Sequence, residues 1–322
     1  MRNYFETSAV NYLLETMEIQ DAHATRAFQN ARGRKWHISP TVLVEVLLTN
    51  NPDRKEEIIY FSQVLFDREL LPPPEEIIIN FIKNGCPILE TSFSYESNHS
   101  FSRIWRDLYD FPDKTFIIDL DDFRRRYHLV RNYYKVAHVI GTQKFYSEPY
   151  CFEASIELLS FNLVKKVMNE QEIQSADSNQ LLSWKIGAFL TISILCAEIT
   201  LFPEVIKKFW ANLGVNLLPS RIEFIAKNFP QLIYRGPFAE MTQMILCQAQ
   251  YKYSRGLIFD AFHCVYLPFV DTLISNDIHF KNLKSYFPHP IIARICHIDE
   301  AVWTKKAVEL MPNKKNKVYV PT

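Results

Sequence analysis

The order of apolar runs and turn residues predicts an α/β fold: a three-layer α/β/α arrangement on a mainly parallel sheet, with a large, mostly helical insertion. Two observations carry this. Short apolar runs alternate with helix-like segments over residues 1–85, and again from about residue 240 to 298, the grammar of a parallel sheet covered by helices. Between about Cys86 and Pro230 that alternation gives way to long helical stretches. The simplest organisation is one discontinuous domain built from 1–85 and 235–322, interrupted by a helical insertion at 86–234.

The elements follow in order. Asn3 to Phe5 is a strand, and a helix starts near Val10. Asp21 to Ala31 is a second helix that Gly33 stops. Trp36 to Ser39 is the next strand, and Pro40 sits where a first helical turn tolerates it, opening a helix over Thr41–Thr49. Arg54–Phe66 reads as an amphipathic helix. Leu70-Leu71 reads as a strand, with the turn Pro72-Pro73-Pro74 and a helix start at Glu75 after it. Phe152–Met168 and Leu181–Phe202 are the clearest helices of the insertion. A helical run after Gly236-Pro237 leads through Gly256 into Asp260, and Pro268 ends it. Asp271–Ser275 is a strand, His279–Phe287 a helix and Ile291–Ile298 a last strand, before a lysine-, asparagine- and proline-rich tail.

Composition sets bounds. With 322 residues, 48% hydrophobic and 22% charged, the chain is an ordinary globular one with room for a sizeable core. Zero formal net charge excludes a global pull toward nucleic acid, so any basic surface is local. The six cysteines are scattered singly, without zinc-type spacing, and a reduced, cytoplasmic setting is expected. No signal-peptide core follows Met1. The best membrane candidate, Ile186–Phe202, holds Thr191, Ser193 and Glu198 and reads instead as a buried helix.

Four carboxylates stand out by their surroundings. Glu45 is the only charge in an all-apolar helix; such a helix is buried, and a buried carboxylate needs a partner or neutralises. A metal ion and a buried salt bridge to arginine or lysine are the two readings. Asp260 lies in a similar apolar run, where a helix N-cap competes with a site role. Glu6 and Asp277 each follow a predicted strand. Each suits a cap, and each also lies at the carboxyl end of a parallel strand, where ligand sites gather. From Asp260 a helix runs about 12 Å to Pro268 at roughly 1.5 Å per residue, and the strand from Asp271 returns about 20 Å at roughly 3.3 Å per residue. Asp260 is thereby carried to the rim of Asp277. Converging carboxylates repel, by about 4 kcal/mol for two at roughly 4 Å near a surface. An oxygen-only donor set of this kind suits Mg²⁺ or Mn²⁺.

The residues also carry a resemblance. Phe5-Glu6-Thr7-Ser8-Ala9-Val10-Asn11-Tyr12-Leu13-Leu14 resembles the opening strand and helix of PIN-domain nucleases, where an acidic residue followed by Thr-Ser or Thr-Asn begins the site. Ile38-Ser39-Pro40-Thr41-Val42-Leu43-Val44-Glu45 resembles their second strand and glutamate-bearing helix. Asp260-Ala261-Phe262-His263, with Asp271-Thr272-Leu273-Ile274-Ser275-Asn276-Asp277 further on, is similar to the family's helix-borne aspartate and its Ser-Asn-Asp ending. The resemblance implies metal binding by Glu6, Glu45, Asp260 and Asp277, with Thr7, Ser8 and Asn276 orienting those carboxylates. Asp271 begins its strand and belongs to the opposite end of the sheet. Two departures matter: the family usually has Asp where Glu6 stands, and its short members lack residues 86–230.

The resemblance further implies an Mg²⁺- or Mn²⁺-dependent endoribonuclease of the toxin or phage-defence type. Its expected company is an RNA substrate, an antitoxin or other protein partner and a second copy of the chain, with no membrane. The rivals are a silent PIN scaffold acting as a binding or regulatory module, and a flap-type DNA nuclease. The basic and aromatic run Arg124–Lys135 is read as a solvated helix face or an RNA-backbone contact. His263 is read as a packed core residue.

Overall fold

The computed structural model describes residues 2–48, 52–67, 70–84, 121–141, 151–250, 257–286 and 289–298. Four short strands, β1 (Arg2–Phe5), β2 (Lys35–His37), β3 (Thr272–Ser275) and β4 (Ile295–His297), form one all-parallel sheet in the order β2-β1-β3-β4. Asn3 lies opposite Trp36 on one side and Thr272 on the other, and Ile274 lies opposite Cys296. Tyr4, Phe5, Leu273 and Ile274 are fully buried, although neighbours along a strand point to opposite faces. The two ends of the chain therefore share one sheet.

Helices α1 (Thr7–Thr16) and α2 (Ile19–Ala31) make the crossover from β1 to β2. Gly33 turns the chain at φ +64°, as its lack of a Cβ permits. Ser39, expected in the strand, instead caps α3 (Pro40–Leu47) by accepting from the Val42 N–H, with Pro40 in the first turn. Helices α4 (Pro52–Leu65) and α5 (Pro74–Asn84) follow. The strand expected at Leu70-Leu71 is not formed. The segment runs beside β2, with Leu71 N–H on the Ile38 carbonyl (3.0 Å) and Asp67 N–H on the Trp36 carbonyl (2.8 Å). Pro72, Pro73 and Pro74 have no N–H to continue that ladder. The last expected strand shrinks to β4 because Ile292–Arg294 winds into a 3₁₀ turn.

Helices α6 (Asp121–Tyr133), α7 (Lys135–Gly141), α8 (Cys151–Val167), α9 (Glu170–Ser175), α10 (Ser178–Thr191), α11 (Pro203–Leu213) and α12 (Leu218–Asn228) fill the middle of the chain. Helices α13 (Pro237–Gln248), α14 (Leu257–Cys264) and α15 (Ile278–Tyr286) accompany β3 and β4. The Leu181–Phe202 segment is helical only as far as a π turn at Ile192–Cys196. Glu198 then takes the left-handed conformation at φ 59°, held by an ion pair to Arg221 at 2.7 Å. Beyond it the buried Glu75 carboxylate accepts from the Thr200 hydroxyl and from the Phe202 N–H at 3.2 Å. Among the described residues no helix is long and apolar enough to cross a membrane. Residues 86–120, Gly256 and the expected tail lie outside the described residues.

The middle helices and the sheet-bearing segments share one hydrophobic core. Tyr134 meets Phe189 edge-on at 5.9 Å and Phe262 at 6.1 Å, joining α10 to α14. Helix α10 comes close to the 3₁₀ turn Pro230–Ile233 because Gly187 has no side chain. A methyl there would land on the Ile233 carbonyl oxygen. In an open helix Gly→Ala gains about 1 kcal/mol, but forced overpacking of a core costs about 1–3 kcal/mol or more. Gly187→Ala is therefore expected to lower Tm, by roughly 1–3 °C on typical entropies of unfolding, as measured by calorimetry.

Candidate functional site

The carboxyl ends of β1 and β3 form the rim on which the site is built. Glu6, directly after β1, is 3% exposed. Its carboxylate accepts from the Ser8 N–H at 2.7 Å, the Ala9 N–H at 3.2 Å, the Ser8 hydroxyl and the Asn276 N–H at 3.3 Å. Across the strand pair, Asp277 donates its N–H to Ser275 Oγ at 2.8 Å, and its Oδ1 accepts from the His279 N–H at 2.7 Å. Both residues thus cap the helices that follow them. Capping and membership of the rim coexist.

Glu45 reaches the rim from α3. Its Oε2 accepts from the Thr7 hydroxyl and lies 3.3 Å from His263 Nε2. Its described partners are an imidazole and a hydroxyl, where one of the two readings was a buried salt bridge to arginine or lysine. His263, 1% exposed, is held in turn through Nδ1 by the Tyr4 hydroxyl at 2.6 Å, and Tyr4 also contacts Ser39 Oγ at 2.9 Å. A chain of polar contacts therefore runs from β1 through α14 to α3. Asp260 is the fourth residue of α14 rather than its N-cap, and accepts from Gln248 Nε2 at 3.0 Å.

These groups feel one another. Burial, then the charges of Asp277, Glu6 and Glu45, hold the Asp260 carboxyl well above the usual carboxylate range, against a smaller opposing effect of Gln248. Burial also raises Glu6, while His263 and the Ser8 hydrogen bonds pull it down. The other three expected acids therefore stand within electrostatic reach of Asp260. Among the described residues none of the four forms an ion pair with lysine or arginine; the one pairing is Glu45 with His263. Among the described residues no three acidic, histidine or cysteine side chains are already grouped to hold a metal ion. The donor set itself, carboxylate oxygens with hydroxyl support, fits a hard divalent cation.

Of the expected supporting residues, Thr7 holds Glu45 and Ser8 holds Glu6 with both its N–H and hydroxyl. Asn276 acts through its backbone, donating to Glu6 and to Ser8 Oγ at 3.0 Å. Asp271 lies at the opposite sheet end, as expected, bound to the Arg2 N–H at 2.6 Å. Sequence reasoning missed His263 as a ligand of Glu45, Gln248 as the partner of Asp260, and Tyr127. The Tyr127 ring on α6 stacks on Phe259 at 4.2 Å and 5°. Burial raises its hydroxyl far above the usual tyrosine value; Glu45 and Asp260 add to the rise and Arg131 opposes it. The neighbouring arginines of α6 pair locally, Arg124 with Asp121 at 2.8 Å and Arg126 with Asp122 at 2.6 Å, as a solvated face does.

No protein-family model matches this chain, and neither does any curated protein or solved structure.

One more buried acid lies behind the rim. Glu240 on α13 is 7% exposed and its Oε2 has no hydrogen-bond partner among the described residues. Burial pushes it up to about 7. Because the folded value exceeds the unfolded one, its contribution to stability is complete below the ordinary carboxylate range and is lost as pH rises through about 7. Glu240→Gln is expected to be more stable than the parent at about pH 8, by up to about 3 kcal/mol, and to lose that advantage toward about pH 5. Urea unfolding midpoints at the two pH values check this.

Proposed function

We propose that the chain is an Mg²⁺- or Mn²⁺-dependent nuclease that hydrolyses RNA phosphodiester bonds, on a three-layer frame of the PIN type. The observation that supports this most is the gathering of Glu6, Glu45, Asp260 and Asp277 at one sheet rim without a lysine or arginine partner among the described residues. Four acids so placed are costly unless a cation joins them. A divalent ion bound there would lower the pKa of a water to supply the nucleophile and offset charge on the phosphodiester oxygens. The chain's own residues prepare the rim. Ser8 orients Glu6, Thr7 and His263 orient Glu45, Gln248 orients Asp260, and the start of α15 fixes Asp277. A toxin-type role beside a protein partner in the cytoplasm belongs to the same reading.

A silent scaffold that acts as a binding module is the second reading. The hydrogen bonds already made by Glu6 and Asp277, and the imidazole already on Glu45, favour it. A flap-type DNA nuclease would use the same rim.

Purified chain is expected to cleave single-stranded RNA with Mn²⁺ or Mg²⁺, faster than flap DNA, and to stop when EDTA is added. Glu45→Gln and Asp277→Asn are each expected to lower the rate by about a hundredfold or more. Mn²⁺ is expected to raise Tm through mass action in the parent and less in either variant. RNA left intact with both metals, together with an unmoved Tm, would sink the proposal in favour of the scaffold.

A further inference from the structure

Beside the acidic rim lies an open pocket of about 460 Å³, within the range of roughly 300–1,000 Å³ common for small-ligand sites. Glu45 forms part of its wall, so the pocket is continuous with the rim. Val46 and Ile58 give it an apolar lining, Asn11 and Glu15 a polar one, and Tyr127 an aromatic one. None of these residues except Glu45 was assigned a role by the acid cluster.

The aromatic wall is pre-set. The Tyr127 ring already stacks on Phe259, the residue preceding Asp260, so a planar ligand meets a ring whose orientation is fixed before binding, and little conformational freedom is lost. An aromatic face accepts any nucleobase, and such stacking is the usual way proteins hold unpaired bases. A base inside a duplex cannot present its face in this way. Asn11 offers both an amide donor and an acceptor, and the Glu15 carboxylate is an acceptor only, suited to the exocyclic amino group of cytosine, adenine or guanine; uracil has no such group and meets it only through its ring N3–H. Arg131 lies one helical turn beyond Tyr127 on α6, so the two side chains share a face. A guanidinium there suits the phosphate next to a base stacked on Tyr127.

We infer that this pocket is a nucleobase subsite for single-stranded nucleic acid, in which Tyr127 stacks the base, Asn11 and Glu15 read its edge and Arg131 holds the adjoining phosphate. The inference rests on the nuclease reading for its class of ligand, and it makes the middle helices the substrate-positioning part of the site.

The test uses full-length chain carrying Asp277→Asn in buffered Mg²⁺, with fluorescence anisotropy of labelled oligocytidine, oligouridine and a duplex of equal length. Oligocytidine is expected to bind more tightly than oligouridine, and both more tightly than the duplex. Adding Tyr127→Ala is expected to weaken single-strand binding about tenfold, and Tyr127→Phe, which keeps the ring, to recover it. Glu15→Gln is expected to narrow the difference between the two homopolymers. Arg131→Ala is expected to lower the salt-dependence slope by about one. Equal binding of duplex and single strand, equal binding of the two homopolymers, or indifference to Tyr127→Ala in a variant of unchanged Tm would overturn the inference. Binding through Tyr127 by a parent chain that never cleaves overturns the nuclease reading alone; cleavage that ignores Tyr127→Ala overturns this one alone.

Discussion

Strand β1 takes one neighbour from the next strand in the chain and the other from the far end of it, and the second pairing determines where the acidic side chains stand. The Asn276 N–H reaches the Glu6 carboxylate across 270 positions of sequence. Because side chains alternate along a strand, a slip of one residue between β1 and β3 would turn every side chain to the other face. Tyr4 would then leave His263, and His263 would lose the contact that orients it toward Glu45. One register thus positions residues on three elements: β1, α14 and α3. Asp260 and His263, three apart on α14, lie on one face of that helix, so whatever orients the imidazole also orients the carboxylate.

This arrangement works against stability. The Asp260 carboxyl is pushed well above the usual carboxylate range by burial and by three nearby charges, and Glu6 keeps its place through several donors. A polar network in a low-dielectric setting is strong when satisfied and costly when one member is missing. Sites built for ligands commonly carry such destabilised groups, and the rest of the molecule offsets them. Here the offset comes from a core in which Phe5, Phe66, Phe189, Phe238, Phe259 and Phe262 are all essentially buried.

Much of the rim was legible in the sequence because its members break local rules. Glu45 is a charge in an apolar helix, and Glu6 and Asp277 follow strands at the end where ligands gather. Thr7, Ser8 and Asn276 were legible only through the resemblance carried by the residues around Glu6 and Asp277. His263 was not, because a histidine on an apolar helix reads the same whether its nitrogens face a core carbonyl or a site carboxylate; only the Tyr4 and Glu45 contacts distinguish the two. Gln248 and Tyr127 lie on elements whose approach to the rim depends on packing between helices far apart in the chain, which no local pattern encodes. The Leu70-Leu71 strand failed for a local reason: three successive prolines remove the donors a ladder needs. The premature end of the Leu181–Phe202 helix had no local mark beyond Glu198, a residue type that rarely adopts positive φ.

The middle helices are bound into the site by the same packing that hides them from sequence reading. Phe259 and Phe262 flank Asp260 on α14, each about 1% exposed, and their covers are Tyr127 and Tyr134, from α6 and its C-terminal end. Aromatic side chains bury roughly 150–250 Å² each. At about 25 cal/mol per Å², uncovering even half of two such rings costs about 5 kcal/mol, a large part of the roughly 5–15 kcal/mol that holds a domain together. The helix that carries Asp260 and His263 therefore owes part of its burial to the middle of the chain. Phe259 and Asp260 are adjacent on α14, so a change at the Tyr127–Phe259 stack is felt at Asp260 through that helix.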